Sequence, residues 1–272
     1  MSRYEQLIYE NHLGKKLTFG DGSGLYVNEN DLRDYNWSYT EVNDRIKKFY
    51  RKITNFKIPA VVLSPNEEVA TDIKNKLMEY ADEDILAEQE GKLWIGDYYL
   101  SCYITGSSKS KYSRTKKRTI FNLTVTSDKP RWTKEEDIYL RTKEVGMAGG
   151  FDYAFEYGVD YGSMIQKIVN KNFAKCDFKL IVYGPVSSVY VAIGSNVYEL
   201  DQVLNAGEYA IIDSREKKTY RVDAIGRKTN IFNKRNRGYN LFAKIPPGVN
   251  SIDRNTMVDI TLYYERSEPL WT

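Results

Sequence analysis

The sequence predicts a mainly β protein with two domains: an N-terminal β-sandwich carrying one packed helix, then a C-terminal sandwich of jelly-roll type. Three observations carry this. Between Asp177 and Leu200, Phe178, Leu180 and Val182 alternate with other residues, and so do Val189, Val191 and Ile193. That period of two puts one set on each face of a pleated strand. Similar short runs recur at close spacing as far as Tyr264, the pattern of a sandwich or jelly roll. The chain has one strong helix signature, at Ser64-Pro65-Asn66-Glu67 followed by Val69, Ile73 and Leu77.

In chain order, Leu7, Ile8, Leu13 and Leu17 make the first segment strand-like. Gly20 to Gly24 form a glycine-rich turn; Leu25 and Tyr26 stand where a phosphate loop needs Lys and Ser or Thr, so positive φ explains these glycines better. Tyr35, Trp37 and Tyr39 alternate ahead of a basic run, Arg45, Lys47, Lys48, Arg51 and Lys52. Phe56 to Leu63 reads as a buried strand. In the helix, Ser64 is expected to cap, Pro65 to take the first position and Glu67 to complete a capping box. The apolar stripe predicts an end near Tyr80. Gly91 to Tyr103 is a hairpin bent at Gly96-Asp97. Ile120, Leu123 and Val125 form a strand that Pro130-Arg131-Trp132 ends.

Gly146 to Gly150 and the aromatic-rich residues after them place a domain boundary near Tyr161, giving domains 1–161 and 162–272. Beyond it, strands are centred on Ile165–Val169, Phe178–Tyr183, Val189–Ile193, Val197–Leu200, Tyr209–Ile212, Thr219–Val222, Asn240–Ala243 and Val258–Tyr264. Gly184-Pro185 cannot continue a central ladder, so the two runs on either side of it are expected to pair through a turn. Pro247-Gly248 suits a type II turn.

Composition narrows the function. The 272 residues hold 40 Lys+Arg against 37 Asp+Glu, for a net charge of +3. That balance argues against a dedicated nucleic-acid binder. Tyr, at 23 residues, outnumbers Phe at 10; Tyr suits both strands and interfaces. Cys102 and Cys176 are too few for a disulfide framework and read as free thiols made in a reducing cell. No basic-then-apolar leader and no apolar run long enough to span a bilayer is present, so synthesis in the cytoplasm is expected.

No catalytic set emerges. His12 is the single histidine, which removes most imidazole chemistry and most zinc sites. No Gly-x-Ser-x-Gly elbow occurs. Catalytic, cofactor and metal sites are therefore expected to be none. Two charge clusters stand out instead. Glu79 to Glu90 supplies six carboxylates, including Asp82, Glu83 and Asp84, and Lys109 to Arg118 supplies six cations, including Lys116, Lys117 and Arg118. As complementary patches they are candidates for a head-to-tail subunit contact. The alternatives are clusters that face each other within one chain or face water.

The order of features resembles the distal tail proteins of long, non-contractile phage tails over nearly the whole chain. The resemblance rests on Gly24-Leu-Tyr-Val, Ile58–Leu63 and the helix after it, Gly91-Lys-Leu-Trp-Ile-Gly-Asp-Tyr-Tyr-Leu, and Pro130-Arg-Trp132. Further on it rests on Phe178–Gly184, Gly207–Asp213 and Pro247–Ile252, with a departure at Lys171-Asn172. It implies a structural virion protein of the tail tip. Six copies would form a ring capping the tail tube. A galectin-like second domain would carry receptor-binding or baseplate proteins, beside a tail-associated hub protein. The last residues, Pro269–Thr272, would return to the first domain. A galectin sugar site is not implied, since residues 162–270 contain neither His nor Trp. Two alternatives are a carbohydrate-binding or glycosidase sandwich, favoured by aromatics in a concave groove, and a single-stranded nucleic-acid binder using Lys109–Arg118.

Overall fold

The structure is a computed structural model and describes residues 6–27, 29–109, 117–140 and 166–271. It is mainly β, with antiparallel sheets and a single α-helix among the described residues. The chain divides into two compact units, Met1–Lys134 with Glu265–Thr272, and Glu135–Tyr264. The boundary expected near Tyr161 lies outside the described residues.

In the first unit, β1 (Leu7–Glu10) pairs with β2 (Lys16–Phe19) on one side and β7 (Gly91–Ile95) on the other. The strand-like start and the turn at Gly96-Asp97 are as the sequence predicts, with β7 returning as β8 (Tyr98–Ser108). β8 is long enough to serve three ladders: its first half pairs with β7 and, at Tyr99 and Leu100, with Thr133 and Trp132, and its second half pairs with β9 (Arg118–Ser127), with a register shift between Ile104 and Gly106. β9 also pairs over its full length with β6 (Thr54–Leu63), which takes β3 (Leu25–Val27) at its far edge. Gly22 and Gly24, in the turn before β3, have φ of 80° and 75°, the left-handed region that the turn expectation rested on. The inward residues of these strands close one core, including Tyr9, Phe19, Ile58, Val62, Leu93, Leu100, Leu123 and Trp132.

The helix α1 (Glu67–Ala87) packs on β6 and β8. Its start and end differ from expectation. The N-cap is Asn66, whose Oδ1 accepts from Glu68 N at 2.8 Å, while Ser64 Oγ accepts from Asn66 N one step earlier. The helix does not stop near Tyr80: its buried stripe runs Ala70, Ile73, Leu77, Ala81, Asp84. The charges at 82–84 thus continue the helix instead of opening a loop, because one of them, Asp84, has partners inside.

β10 (Trp132–Leu140) begins where the sequence predicted an end. The chain passes from the first unit to the second within β10 and returns within β19 (Val258–Arg266). The second unit has two sheets. One runs β10, β19, β12 (Asp177–Tyr183), β15 (Tyr209–Asp213), β16 (Lys218–Val222), β17 (Lys228–Asn230); the other runs β11 (Gln166–Asn170), β18 (Gly248–Arg254), β13 (Val189–Ile193), β14 (Asn196–Leu200). β12 and β13 therefore do not pair with each other. They lie in opposite sheets, and their alternating residues, Phe178, Leu180, Val182 and Val189, Val191, Ile193, are all buried in one core. Phe178 meets Tyr198 across that core at 4.7 Å between ring centres. Asn240–Ala243 is a turn, not a strand, while β17 and β18 escaped the sequence pattern.

Candidate assembly surface

A separate two-stranded sheet stands out in the first unit. Among the described residues, β4 (Ser38–Val42) and β5 (Arg45–Tyr50) pair only with each other. Asn43 and Asp44 turn the hairpin with φ of 53° and 60°, as a two-residue loop of this hand requires. A two-stranded hairpin is marginal alone in water, and this arm has little core of its own. Tyr39, Val42, Ile46 and Phe49 are exposed, each by about half. Support comes from edge-on aromatic contacts, Trp37 to Phe49 at 6.5 Å and Tyr39 to Phe49 at 6.4 Å, and from the Arg51 guanidinium over the Trp37 ring at 4.5 Å. Arg45, Lys47 and Lys48 are exposed and make no ion pair among the described residues. An apolar patch with unpaired cations, on an element that contributes nothing to the core, has the composition of an interface.

The outer face of α1 is complementary in charge. Glu68, Asp72, Asn75, Glu79, Asp82 and Leu86 recur at spacings of three and four, and all are exposed. Asp72 pairs with Lys76 at 2.7 Å and Glu79 lies 3.7 Å from Lys15. The stripe ends on Leu86, which is 85 % exposed, beside Ile85. It is about 27 Å long at the helical rise, against about 20 Å for a six-residue strand.

The sequence clusters are placed differently from one another. Asp82 is exposed. Glu83 is taken up locally, accepting from Lys15 Nζ at 2.5 Å and Asn11 Nδ2 at 2.6 Å. Asp84 is fully buried, so it presents nothing to a neighbouring molecule. Its Oδ2 accepts from the Tyr9 hydroxyl at 2.5 Å; its Oδ1 accepts from the His12 backbone N–H at 2.8 Å and lies 2.6 Å from His12 Nδ1. Next to a carboxylate oxygen, that ring nitrogen carries the proton. Burial, reinforced by the bond to Asp84, pushes the Tyr9 phenol far above its ordinary range, so it remains a donor. The single histidine thus ties the β1–β2 loop to the helix. Lys117 and Arg118 are exposed; the Lys117 carbonyl accepts from Ser64 N, just ahead of α1. Asp82 sits sixteen residues along the helix from its cap, about 24 Å away. Among the described residues, no ion pair joins Lys117 or Arg118 to Asp82, Glu83 or Asp84. Lys116 lies outside the described residues.

The arm and its cations were visible in the sequence only as an aromatic alternation followed by a basic run; Asn43-Asp44 between them was the unused hairpin signal. Little else invites chemistry. No group of three or more His, Cys, Asp or Glu that could hold a metal ion occurs among the described residues. Both cysteines are free and buried; burial raises the Cys102 thiol strongly and the Cys176 thiol to about 12, so neither is a ready nucleophile. A cleft of about 340 Å³ in the first unit is lined by Ile8, Trp94, Tyr98 and Leu270, and its charges, Asp97 and Lys134, pair at 2.7 Å.

No described protein family matches the sequence, and no curated protein does. Solved structures match almost end to end. The crystal structure of SPP1 Dit (gp 19.1), presented as a paradigm of the hub adsorption apparatus in phages that infect Gram-positive bacteria, superposes with a TM-score of 0.61 at 10 % identity, covering 97 % of this chain and 100 % of that one. The fold is that of Dit-like phage tail proteins. A chain of the phage p2 baseplate in its activated conformation with calcium gives a TM-score of 0.64 at 11 % identity, and one with strontium 0.63 at 12 %, each covering 97 % of this chain and 99 % of the other. The likeness spans nearly all of this chain and of the solved chains at 10–12 % identity.

Proposed function

We propose that this chain is a structural component of a phage tail tip, a distal tail protein whose copies form a ring of six that joins the tail tube to the baseplate or receptor-binding apparatus. The observation that carries it is the end-to-end likeness to Dit. The first unit forms the ring. The second, galectin-like unit faces outward and supports receptor-binding or baseplate proteins. The chain works in the virion, after synthesis in the host bacterial cytoplasm, and is not an enzyme.

A closed ring needs two different patches on each copy, one for each neighbour. The aromatic, cationic face of the β4–β5 arm is one, and the acidic outer face of α1 on the next copy is the other. Asp82 stays in that contact. Glu83 and Asp84, engaged within their own chain, drop out. Size measurement in solution with negative-stain imaging tests this on the full chain. Six-fold rings are expected. Reversing Arg45, Lys47 and Lys48 to Glu should abolish them without changing the melting temperature. Reversing Glu68, Asp72 and Asp82 to Lys in the same chain should restore them. A wild-type chain that stays monomeric at high concentration and low salt counts against the ring, and rings indifferent to the arm reversal count against this interface.

A further inference from the structure

The arm has two feet, and both are tied to the same place. At the first, Arg33 sets its guanidinium 3.9 Å from the centre of the Trp271 ring and donates from Nη1 to the Pro269 carbonyl at 2.8 Å. At the second, Arg51 follows β5 directly. It lies over Trp37, and it donates to the Pro130 carbonyl and to Ser267 Oγ. Ser267, Pro269 and Trp271 belong to the last residues of the chain, which count with the first unit although they follow the whole of the second. Residues 267–271 form no strand. Pro269 is buried, whereas Trp271 is 74 % exposed and so is held chiefly by the stacked guanidinium.

We propose that the C-terminal tail is a latch for the arm: residues 267–271, gripped by Arg33 and Arg51, fix the direction in which the β4–β5 hairpin leaves the first unit. The physical need is plain. Among the described residues the hairpin pairs with no other strand, and both its strands are exposed over almost their whole length. Its direction is therefore set at its feet. A guanidinium suits this, because its planar fork can stack on a ring and donate to carbonyl and hydroxyl oxygens together. Lysine offers a compact point charge without that planar fork. A chain without the tail keeps its sandwich core, none of whose residues lies beyond Trp132, but leaves the arm free to swing. The consequence for assembly rests on the ring proposal; the latch itself does not.

Two readouts keep them apart. The first is limited trypsin digestion of the full chain, with cleavage after Arg45, Lys47 and Lys48 mapped by mass spectrometry. The second is oligomeric state. In the Arg33→Ala/Arg51→Ala variant, arm cleavage should accelerate at least tenfold while the melting temperature changes little. Arg51→Lys should share part of that acceleration, since charge alone does not restore the fork. A chain ending at Arg266 should match the double variant, and Trp271→Ala gives a milder version if the larger changes impair folding. Rings should be lost in step with arm protection. Faster arm cleavage in a chain that forms no ring at all would uphold the latch and defeat the ring. Arm cleavage within twofold of wild type in both Trp271→Ala and the shortened chain, each folded, overturns the latch.

Discussion

Truncating Leu77 measures how much of the first unit rests on α1. Its side chain is fully buried, in the middle of the stripe that faces β6 and β8. Leu77→Ala removes three carbon groups at about 0.8 kcal/mol each, about 2.4 kcal/mol. A residual void of about 40 Å³, at about 24 cal/mol per Å³, adds about 1 kcal/mol. The expected loss is therefore about 3–4 kcal/mol, which for a domain of this size lowers its melting temperature by roughly 10–15 °C. Scanning calorimetry of the full chain is the assay, because two compact units allow two transitions. The transition of the first unit should fall and that of the second stay in place. Leu86 on the same helix, 85 % exposed, is the internal control: its truncation should stay within about 0.5 kcal/mol. A loss below about 1 kcal/mol at Leu77, or an equal loss at Leu86, would refute the assignment of the helix face.

Three further outcomes follow from buried groups. Asp84→Ala leaves the Tyr9 hydroxyl and two His12 donors without their acceptor, at about 1–3 kcal/mol for each one left unpaired; Asp82→Ala should be near neutral, and urea unfolding of the two variants checks the contrast. Gly91→Ala should destabilise the first unit by about 1–3 kcal/mol, since an added Cβ would lie 2.3 Å from Asp84 Oδ2 and 2.9 Å from the Tyr9 hydroxyl; thermal melts read the loss, and an unchanged melt would mean that the Asp84 site is loosely packed. In the second unit, the hydrogen bond from Arg221 holds the Glu208 carboxyl below its ordinary range. A depressed folded value stabilises above the unfolded value and is lost as pH falls through the folded one. Stability of that unit should therefore drop with acid below about pH 4.5, and Glu208→Gln should flatten the drop in a melt series from pH 6 to 3.

Much of the fold could be read from alternation, because strands with one buried face announce themselves. β13 was placed to the residue, and β12 nearly so, by Val, Ile and Phe at every second position. Their partners were not legible. A strand's pattern shows which face is buried and says nothing of which edge is taken, so two runs separated by five residues looked like a hairpin when they belong to opposite sheets. β17, Lys-Thr-Asn, is exposed throughout and has no pattern to read. The helix end was misplaced for a related reason: Asp84 occupies a core position, and nothing in its sequence neighbourhood shows that Tyr9 and His12, more than seventy residues earlier, meet its charge. The arm is the opposite case. Its sequence showed an aromatic alternation and a basic run, with no sign that Tyr35, Tyr39 and Phe49 would be exposed. Hydrophobicity predicts that a surface will be covered, not whether its own chain covers it.

The route of the chain through β10 and β19 has a bearing on how such proteins diversify. Arg131, before the crossing, and Glu265, at the return, pair at 2.5 Å within the first unit. The exit and the re-entry are neighbours, so as far as the first unit is concerned the 130 residues of Glu135–Tyr264 are a cassette inserted at one point of its surface. Compact domains whose ends lie close together are readily exchanged at such a point. A lineage could therefore replace everything between Lys134 and Glu265 while the sandwich, the helix and the residues that close behind it stay as they are.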